Sequence, residues 1–424
     1  MTLLPWVWCG VTSVALIVWL SRHLQIARVG RTMPPLRPDA YPEDAPAAPA
    51  PSVSVLVAAK DEEANIGRCL RSLLAQEYPE YEIIAIDDRS QDRTPAIIDE
   101  LAAGARSDSR TSGPPASGRL TALHVKELAE GWFGKNNAMR EGVARAKGEW
   151  LCFTDADCEF TSRRMLTVAM RFASEQQADF VSVLPAHRAD SFWERVIQPA
   201  CSGILLIWFH PLRVNDPNSR TAYANGAFML MRRSCYEAIG GHEPVKAEVN
   251  EDIHMARLAK ERGRRLVVVT NEDLYTVRMY ESLAQGWRGW TRIFYGCFGT
   301  VRRLLLSALV VAVMSLLPWA ALGTSAAVSA ASPGVCTAEG GGAAAWRWLL
   351  AAAAGTCAAQ LSVTVRFYGM SRSGALYGLL YPVGAAIGFG ALLNAIRRVG
   401  GRGKITWRGT TYQGDQVVAA PKRG

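Results

Sequence analysis

Apolar residues fall into three regimes along this chain. Leu3 to Leu20 is an uncharged run of 18 residues, long enough to cross a bilayer as a helix. Pro34 to Pro51, dense in Pro and Ala, has little to bury and predicts a stiff linker. From Ser52 the rhythm becomes that of alternating strand and helix. Val53 to Ala59 is a continuous apolar run of strand length, Glu62 to Gln76 has helical periodicity, and Tyr81 to Ile86 is a second buried-type strand. Gly104 to Gly118 lacks periodicity and predicts a flexible surface insertion. Leu120 to Val125 supplies a third strand. Gly131 to Ala138 leads into a helix ending near Lys147-Gly148, and the stretch from Trp150 supplies a fourth strand. Val196 to Leu212 is apolar but too short and broken to span, which suits an interfacial or acceptor-guiding helix, with a buried core helix as the alternative. Three further membrane-length segments follow: Leu304 to Ala338, 35 residues without a charge; Leu349 to Val365; and Ser373 to Ile396, which is broken by Pro382.

Strand, helix, strand implies an α/β domain with a parallel sheet, and such sheets bind ligands at the carboxyl ends of their strands. Here those ends are acidic. Lys60-Asp-Glu62 follows the first strand, Asp87-Asp-Arg-Ser-Gln-Asp-Arg-Thr94 the second, and Asp155-Ala-Asp157 the fourth. The composition, 49% hydrophobic, exceeds what a soluble enzyme needs, and the membrane segments supply the excess. The net charge of +9 gathers around Arg22 to Arg37, Arg302-Arg303 and Arg397 to Lys404, each abutting an apolar run. That pattern suits an anionic membrane surface. It excludes a nucleic-acid partner, because no cluster interleaves with base-stacking aromatics. Nine cysteines without Cys-x-x-Cys or His-Cys grouping point to neither a zinc site nor a disulfide framework.

Two carboxylates at i and i+2 after a strand can converge on Mg²⁺ or Mn²⁺ beside a diphosphate, although the triplet alone also suits a solvated turn. Asp88 or Asp87 can accept the N3–H of a uracil ring, and Lys135, between Gly134 and Asn136-Asn137 in a polar, phosphate-facing turn, can neutralise phosphate. The competing readings are a helix N-cap for Asp87 to Thr94 and a solvated surface lysine at 135.

Taken together, Ala-Lys-Asp-Glu62, Ile-Asp-Asp-Arg-Ser-Gln-Asp-Arg-Thr94, Gly-Lys-Asn-Asn-Ala138, Phe-Thr-Asp-Ala-Asp157 and Asn-Glu-Asp252 resemble an inverting family 2 glycosyltransferase of the GT-A fold. More narrowly, Asp190-Ser-Phe-Trp-Glu-Arg195, Asn215-Asp-Pro217, Arg278-Met-Tyr280 and Thr406-Trp-Arg-Gly-Thr-Thr-Tyr412 resemble the membrane-bound branch of hopene-associated and carotenoid glycosyltransferases. The resemblance implies that Asp157 with Asp155 binds the metal and the sugar-nucleotide diphosphate. It implies a donor site lined by Glu62, Asp87, Asp88, Lys135 and Asp155, and Asp252 as general base, with Glu251 orienting the site. Sequence alone equally reads Asn250-Glu-Asp252 as a helix start. Processive relatives carry Gln-x-x-Arg-Trp, whereas Gln285-Gly-Trp-Arg-Gly-Trp290 has Gly289 where the Trp would be, which argues against a polymerising enzyme. A phosphatase of the haloacid dehalogenase type also starts from Asp-x-Asp but would want Thr or Val at position 159, where Glu159 stands.

The expected organisation is an anchor (1–21), a basic and Pro/Ala-rich linker (22–51), a cytosolic GT-A domain (52–301), a membrane region (302–396) and a basic cytosolic tail (397–424). Positive charge after the first span places the domain on the cytosolic face of the inner (plasma) membrane. Three further full spans would strand the basic tail outside, so Ser373 to Ile396 is expected to be re-entrant or interfacial. The expected activity is transfer of one sugar from a UDP-sugar to a hydroxylated lipid such as a hopanoid or carotenoid. The alternatives are transfer to a polyprenyl phosphate or ceramide-like lipid, and a non-catalytic membrane scaffold.

Overall fold

The computed structural model describes residues 3–42, 50–107, 119–331, 341–399, 405–407, 410–413 and 416–418. In chain order it begins with α1 (Leu3–Thr32), β1 (Val53–Ala59), α2 (Ile66–Leu74), β2 (Tyr81–Asp88), α3 (Thr94–Ser107), β3 (Leu120–Val125) and α4 (Gly134–Val143). Next come β4 (Trp150–Asp155), β5 (Cys158–Glu159), α5 (Met165–Glu175), β6 (Phe180–Leu184), β7 (Ala186–His187), α6 (Phe192–Leu205) and α7 (Pro211–Val214). The middle closes with β8 (Phe228–Arg232), α8 (Arg233–Ala238), α9 (Glu251–Glu261), β9 (Leu266–Thr270), β10 (Thr276–Val277) and α10 (Leu283–Phe298). Last are α11 (Val301–Val311), α12 (Leu317–Ala331), α13 (Gly341–Met370), α14 (Tyr381–Val399) and the short strands β11 (Ile405–Trp407), β12 (Thr410–Gln413) and β13 (Gln416–Val418). These elements form two compact units, one of Met1–Thr32, Ala189–Trp208 and Tyr280–Gly400, the other of Met33–Arg188, Phe209–Met279 and Gly401–Gly424.

The second unit is built on a seven-stranded sheet of order β3-β2-β1-β4-β8-β6-β9, in which only β8 runs against its neighbours. Its strands are apolar on both faces because helices cover both sides, and Val55, Val57, Ile83, Ala85, Cys152 and Leu230 are wholly enclosed. The register sets the chemistry. Ala58 pairs with Asp155 and Ala59 with Asp87, so the carboxyl ends of β2, β1 and β4 lie side by side with their acids together. Residues 53–59, 81–88 and 120–125 take the strands that their apolar runs predict, and β2 extends through both aspartates.

The stretch from Pro34 departs from the linker expectation as far as Pro42; residues 43–49 of that stretch, and 108–118 of the expected insertion, lie outside the described residues. Leu36 is buried, its N–H donates to the Thr270 carbonyl at 2.9 Å, and its own carbonyl accepts from the Glu272 N–H at 2.7 Å. Arg164 donates to the carbonyls of Pro38 and Tyr41, and Arg171 to that of Pro42, so backbone groups that a free linker would leave to water are held by this unit.

Among the described residues, the membrane unit holds four helices long and apolar enough to cross a bilayer, Leu3–Thr32, Val301–Ala331, Ala344–Met370 and Ala375–Arg398. The first of them carries the helix 11 residues past the expected anchor, to Thr32, so Arg22, Arg28 and Arg31 sit on its last turns. Contacts give their directions. Thr356 donates to the Thr12 carbonyl and Arg366 to that of His23, so α1 and α13 run the same way. Ala321 packs beside Leu349 and Ala353, while Gln360 reaches the Ser315 carbonyl, so α11 and α12 run oppositely. Between those two lies a π turn at Ala312–Leu316, and the Met314 and Ser315 carbonyls there accept from Trp19 and Gln360. The last helix starts beside this midpoint, with Tyr381 hydrogen-bonded to Ser315 at 2.9 Å. From there it follows the two amphipathic helices: a side chain at Gly384 would meet the Val196 carbonyl, one at Gly388 Ile204, and Asn394 bonds Thr291. Val196 to Leu205 is thus the greater part of a helix of the membrane unit, α6, tied by Gln198 to Trp290 of α10 at 2.8 Å.

Candidate active site

Two loops frame the site, and backbone geometry fixes them. Asp61 after β1 and Arg89 after β2 both adopt the left-handed region, at φ 53° and 57°, where a non-glycine residue needs support from its surroundings. Reciprocal bonds supply that support. Asp61 accepts from the Gln91 N–H and Glu63 from that of Arg93, while the N–H groups of Asp61, Glu62 and Glu63 donate to Ser90, Thr94 and Asp92. The helix-start reading of this stretch belongs to Asp92, which accepts from Thr94 at the start of α3. Asp87 and Asp88 stand instead at the end of β2, both nearly enclosed. Asp88 is gripped by both nitrogens of Arg89, at 2.7 and 3.0 Å, and lies against Gly134, where a Cβ would come within 2.5 Å of its Oδ2. Glu62 accepts from Asn65 at 2.9 Å, and its charge, with those of Asp157 and Asp155, acts on the buried Cys69 thiol.

Lys135 lies in the first turn of α4 with its ammonium 2.7 Å from Asp155 and 2.8 Å from Glu251. Burial opposes its charge, but those two carboxylates outweigh burial and raise its pKa well above the ordinary lysine value. It is therefore a structural cation and not a solvated one. The neighbouring asparagines do not make the phosphate-facing turn expected of them. Asn136 is fully buried and donates to the carbonyls of Val245 and Glu248, tying α4 to the segment that leads into α9, and Asn137 donates to that of Glu127.

Glu251 and Asp252 open α9, so the helix-start reading and the chemical one hold together. Asp252 accepts from the Gly226 N–H at 2.8 Å through one oxygen and from the Ile253 N–H at 2.8 Å through the other. Burial, reinforced by the Glu251 charge, pushes its pKa up to about 7 against the counteracting Lys135 and the two N–H donors. Gly226 is at the centre: a Cβ there would lie 3.0 Å from Lys135 Nζ and 3.6 Å from both Asp252 and Glu251. Seven of the expected residues, Asp87, Asp88, Lys135, Asp155, Asp157, Glu251 and Asp252, thus occupy the carboxyl ends of β2 and β4 and the helix starts of α4 and α9 around them. Asp155 and Asp157 offer two hard oxygen ligands, and among the described residues no group of three His, Cys, Asp or Glu side chains forms a metal site. That donor set fits Mg²⁺ or Mn²⁺ held by one or two carboxylates together with a substrate diphosphate.

Sequence reasoning missed Arg89 and His124, the Gly226 N–H that holds Asp252, and the tie that Asn136 makes in place of a phosphate-facing turn. Asn-Gly before an apolar strand is the one legible signal among them. Buried His242, hydrogen-bonded to Tyr236 at 2.7 Å and with its pKa lowered to about 3 by burial, is a core residue.

Residues 54–240 match the profile described as Glycosyl transferase family 2. This chain carries a family 2 glycosyltransferase domain. With that domain goes the GT-A sheet, mostly parallel, that the motifs implied. The chain is 32% identical over 243 residues to a beta-monoglucosyldiacylglycerol synthase of Synechocystis sp., covering 57% of this chain and 47% of that protein. It is 22% identical over 262 residues to a 4,4'-diaponeurosporenoate glycosyltransferase of Staphylococcus aureus, covering 61% and 65%. The match thus spans about half the length of the first of these relatives. Among solved structures, a mannosyltransferase from Pyrobaculum calidifontis in complex with GDP-Man and Mn2+ aligns over 82% of this chain and 98% of its own, at 18% identity and TM-score 0.48.

Proposed function

We propose that the protein is an inverting glycosyltransferase that moves one sugar from a nucleotide diphosphate donor, a UDP-sugar, to a hydroxyl of a membrane lipid. The observation that carries this reading is Asp252. A buried carboxylate, held through both oxygens and poised near neutral pH, stands beside Glu251, which Lys135 links to Asp155. The acceptor hydroxyl must lose its proton as it attacks the anomeric carbon, and a base with a pKa near working pH does this best. Attack from the side opposite the leaving group forms the new C–O bond as the sugar–phosphate bond breaks, so one displacement inverts the centre. Asp87 and Asp88 bind the base and ribose, and Lys135 stabilises the departing diphosphate. A divalent cation held by Asp155 and Asp157, Mg²⁺ or Mn²⁺, would neutralise the same charge.

The acceptor class rests on the four apolar helices and on relatives named for a diacylglycerol and a carotenoid acid. Hopanoids and carotenoids are the favoured acceptors, and polyprenyl phosphate or a ceramide-like lipid the alternative. The proposed setting is the inner face of the plasma membrane. Within Ala375–Arg398, long enough to cross, α14 begins at Tyr381 beside the midpoint of the spans and runs along α6 and α10, which supports a re-entrant course. The grouping of β11 to β13 with the catalytic unit supports a cytosolic tail.

Membranes containing the protein, given labelled UDP-sugars with and without Mn²⁺ or Mg²⁺, should yield a labelled lipid extract. Asp252→Asn should abolish transfer and leave UDP binding largely intact; full activity in that variant would sink the base assignment. Nucleotide binding with no labelled lipid would favour the scaffold reading.

A further inference from the structure

Asp87 is one end of a line of three side chains. Its Oδ1 accepts from the Ser90 N–H at 3.1 Å, and its Oδ2 faces Nδ1 of His124, on β3, at 3.3 Å. The other ring nitrogen of His124 lies 3.0 Å from Oδ1 of Asp99, on α3. Exposure rises along the line, from 8% of the Asp87 side chain through 36% for His124 to 60% for Asp99. An imidazolium has an N–H for each carboxylate. A neutral imidazole has one, so the two acids then compete for a single donor and the buried one also loses a nearby positive charge.

We infer that His124, braced by Asp99, is a positioning residue for the nucleotide-sugar donor: in its charged form it holds Asp87 in place for the base and ribose, so that donor affinity falls as His124 loses its proton. The inference rests on the donor reading of Asp87 given above. Burial discourages charge on His124, but hydrogen bonds to Asp99 and Asp87 outweigh it and raise the pKa above the usual histidine value. Other charges around this line are Lys60 after β1, which acts on Asp87 and Asp88, Arg89 paired with Asp88, Lys126 just past the end of β3, and those of α4, where Lys135 pairs with Asp155 and Glu251 and Arg140 with Glu141. The donor therefore should bind most tightly below the His124 transition, whereas deprotonation of Asp252 governs turnover in the opposite sense.

The test uses the full chain in detergent, with UDP and GDP titrated by calorimetry and transfer kinetics measured from pH 5.5 to 9. The wild type should show a donor KM that rises through the histidine transition. Asp99→Asn, a surface change that leaves Asp87 untouched, should move that rise to lower pH, since the neighbouring carboxylate favours the charged imidazole. His124→Gln should flatten the profile, with KM raised about fivefold at pH 6, the order expected for one ordinary, partly exposed hydrogen bond, and kcat within about twofold. Superimposable KM profiles in all three proteins would overturn the inference while leaving donor binding intact. Failure of the wild type to bind either nucleotide at any pH would instead overturn the donor reading, and this inference with it.

Discussion

At the residue scale the site is governed by where charge is buried and what answers it. Asp252 is held by N–H groups that favour its ionised form, yet burial beside Glu251 keeps its pKa near 7. Below that value the base is protonated, so kcat should fall about tenfold per pH unit on the acid side and level off above it. In Asp252→Asn any residual rate should lack this limb, and a rate measurement between pH 5 and 8 checks it. The same group carries a stability consequence of defined sign. Its folded pKa exceeds the unfolded value of 3.8, so its contribution is complete below that value and is lost as pH rises towards 7. Asp252→Asn should accordingly show a higher Tm than the wild type at pH 8 and none of that advantage at pH 4. Lys135, Glu251 and Asp252 were legible from motif positions. Their mutual contacts were not, since residues 135, 155 and 251 meet only through the sheet register.

At the element scale, the parallel strands were legible because continuous apolar runs of strand length ended in acids, and each such run became a strand. The runs also hid something. Apolar residues alone could not separate a core helix from a membrane-associated one at Val196 to Leu212, nor a spanning helix from a re-entrant one at Ser373 to Ile396, since both need the same residues. Packing places the first among the apolar helices and supports the proposed re-entrant course of the second. Gly384 lies so close to α6 that a Cβ would sit 2.6 Å from the Val196 carbonyl, backbone that cannot move aside. Gly384→Val should therefore push α14 off α6 and destabilise the protein by about 1–3 kcal/mol, read as a lower Tm in detergent. Gly323, with open space around it, serves as the control position for the same substitution. The linker reading failed for a comparable reason. Pro-rich composition reports how little a segment can bury by itself and nothing about the carbonyls it offers to Arg164 and Arg171.

For the whole molecule, charge divides between the two units. The membrane unit carries 13 Arg and no Lys against 4 acids, a net +9, while 34 basic and 34 acidic residues cancel in the other. All of the protein's excess charge thus belongs to the membrane part. Guanidinium groups bind phosphate in a bidentate manner, so activity in vesicles should rise when phosphatidylglycerol replaces part of the phosphatidylcholine, and added salt should weaken that gain. Equal activity in both vesicles at low salt would contradict it. The catalytic sheet raises a different question at its far side, where β9 has a sheet neighbour only in β6. An open strand edge invites pairing with another chain, and large sheets need some means of closing it. Here Asn215 donates to the Val268 carbonyl and accepts from the Val268 N–H, copying a strand with one side chain, and Leu36 takes up the backbone at Thr270 and Glu272. Lys260 holds the loop that carries Asn215 through three carbonyls. By this cover the Asn-Asp-Pro motif should limit self-association: Asn215→Ala should aggregate on mild heating, seen by light scattering, before it loses any donor binding.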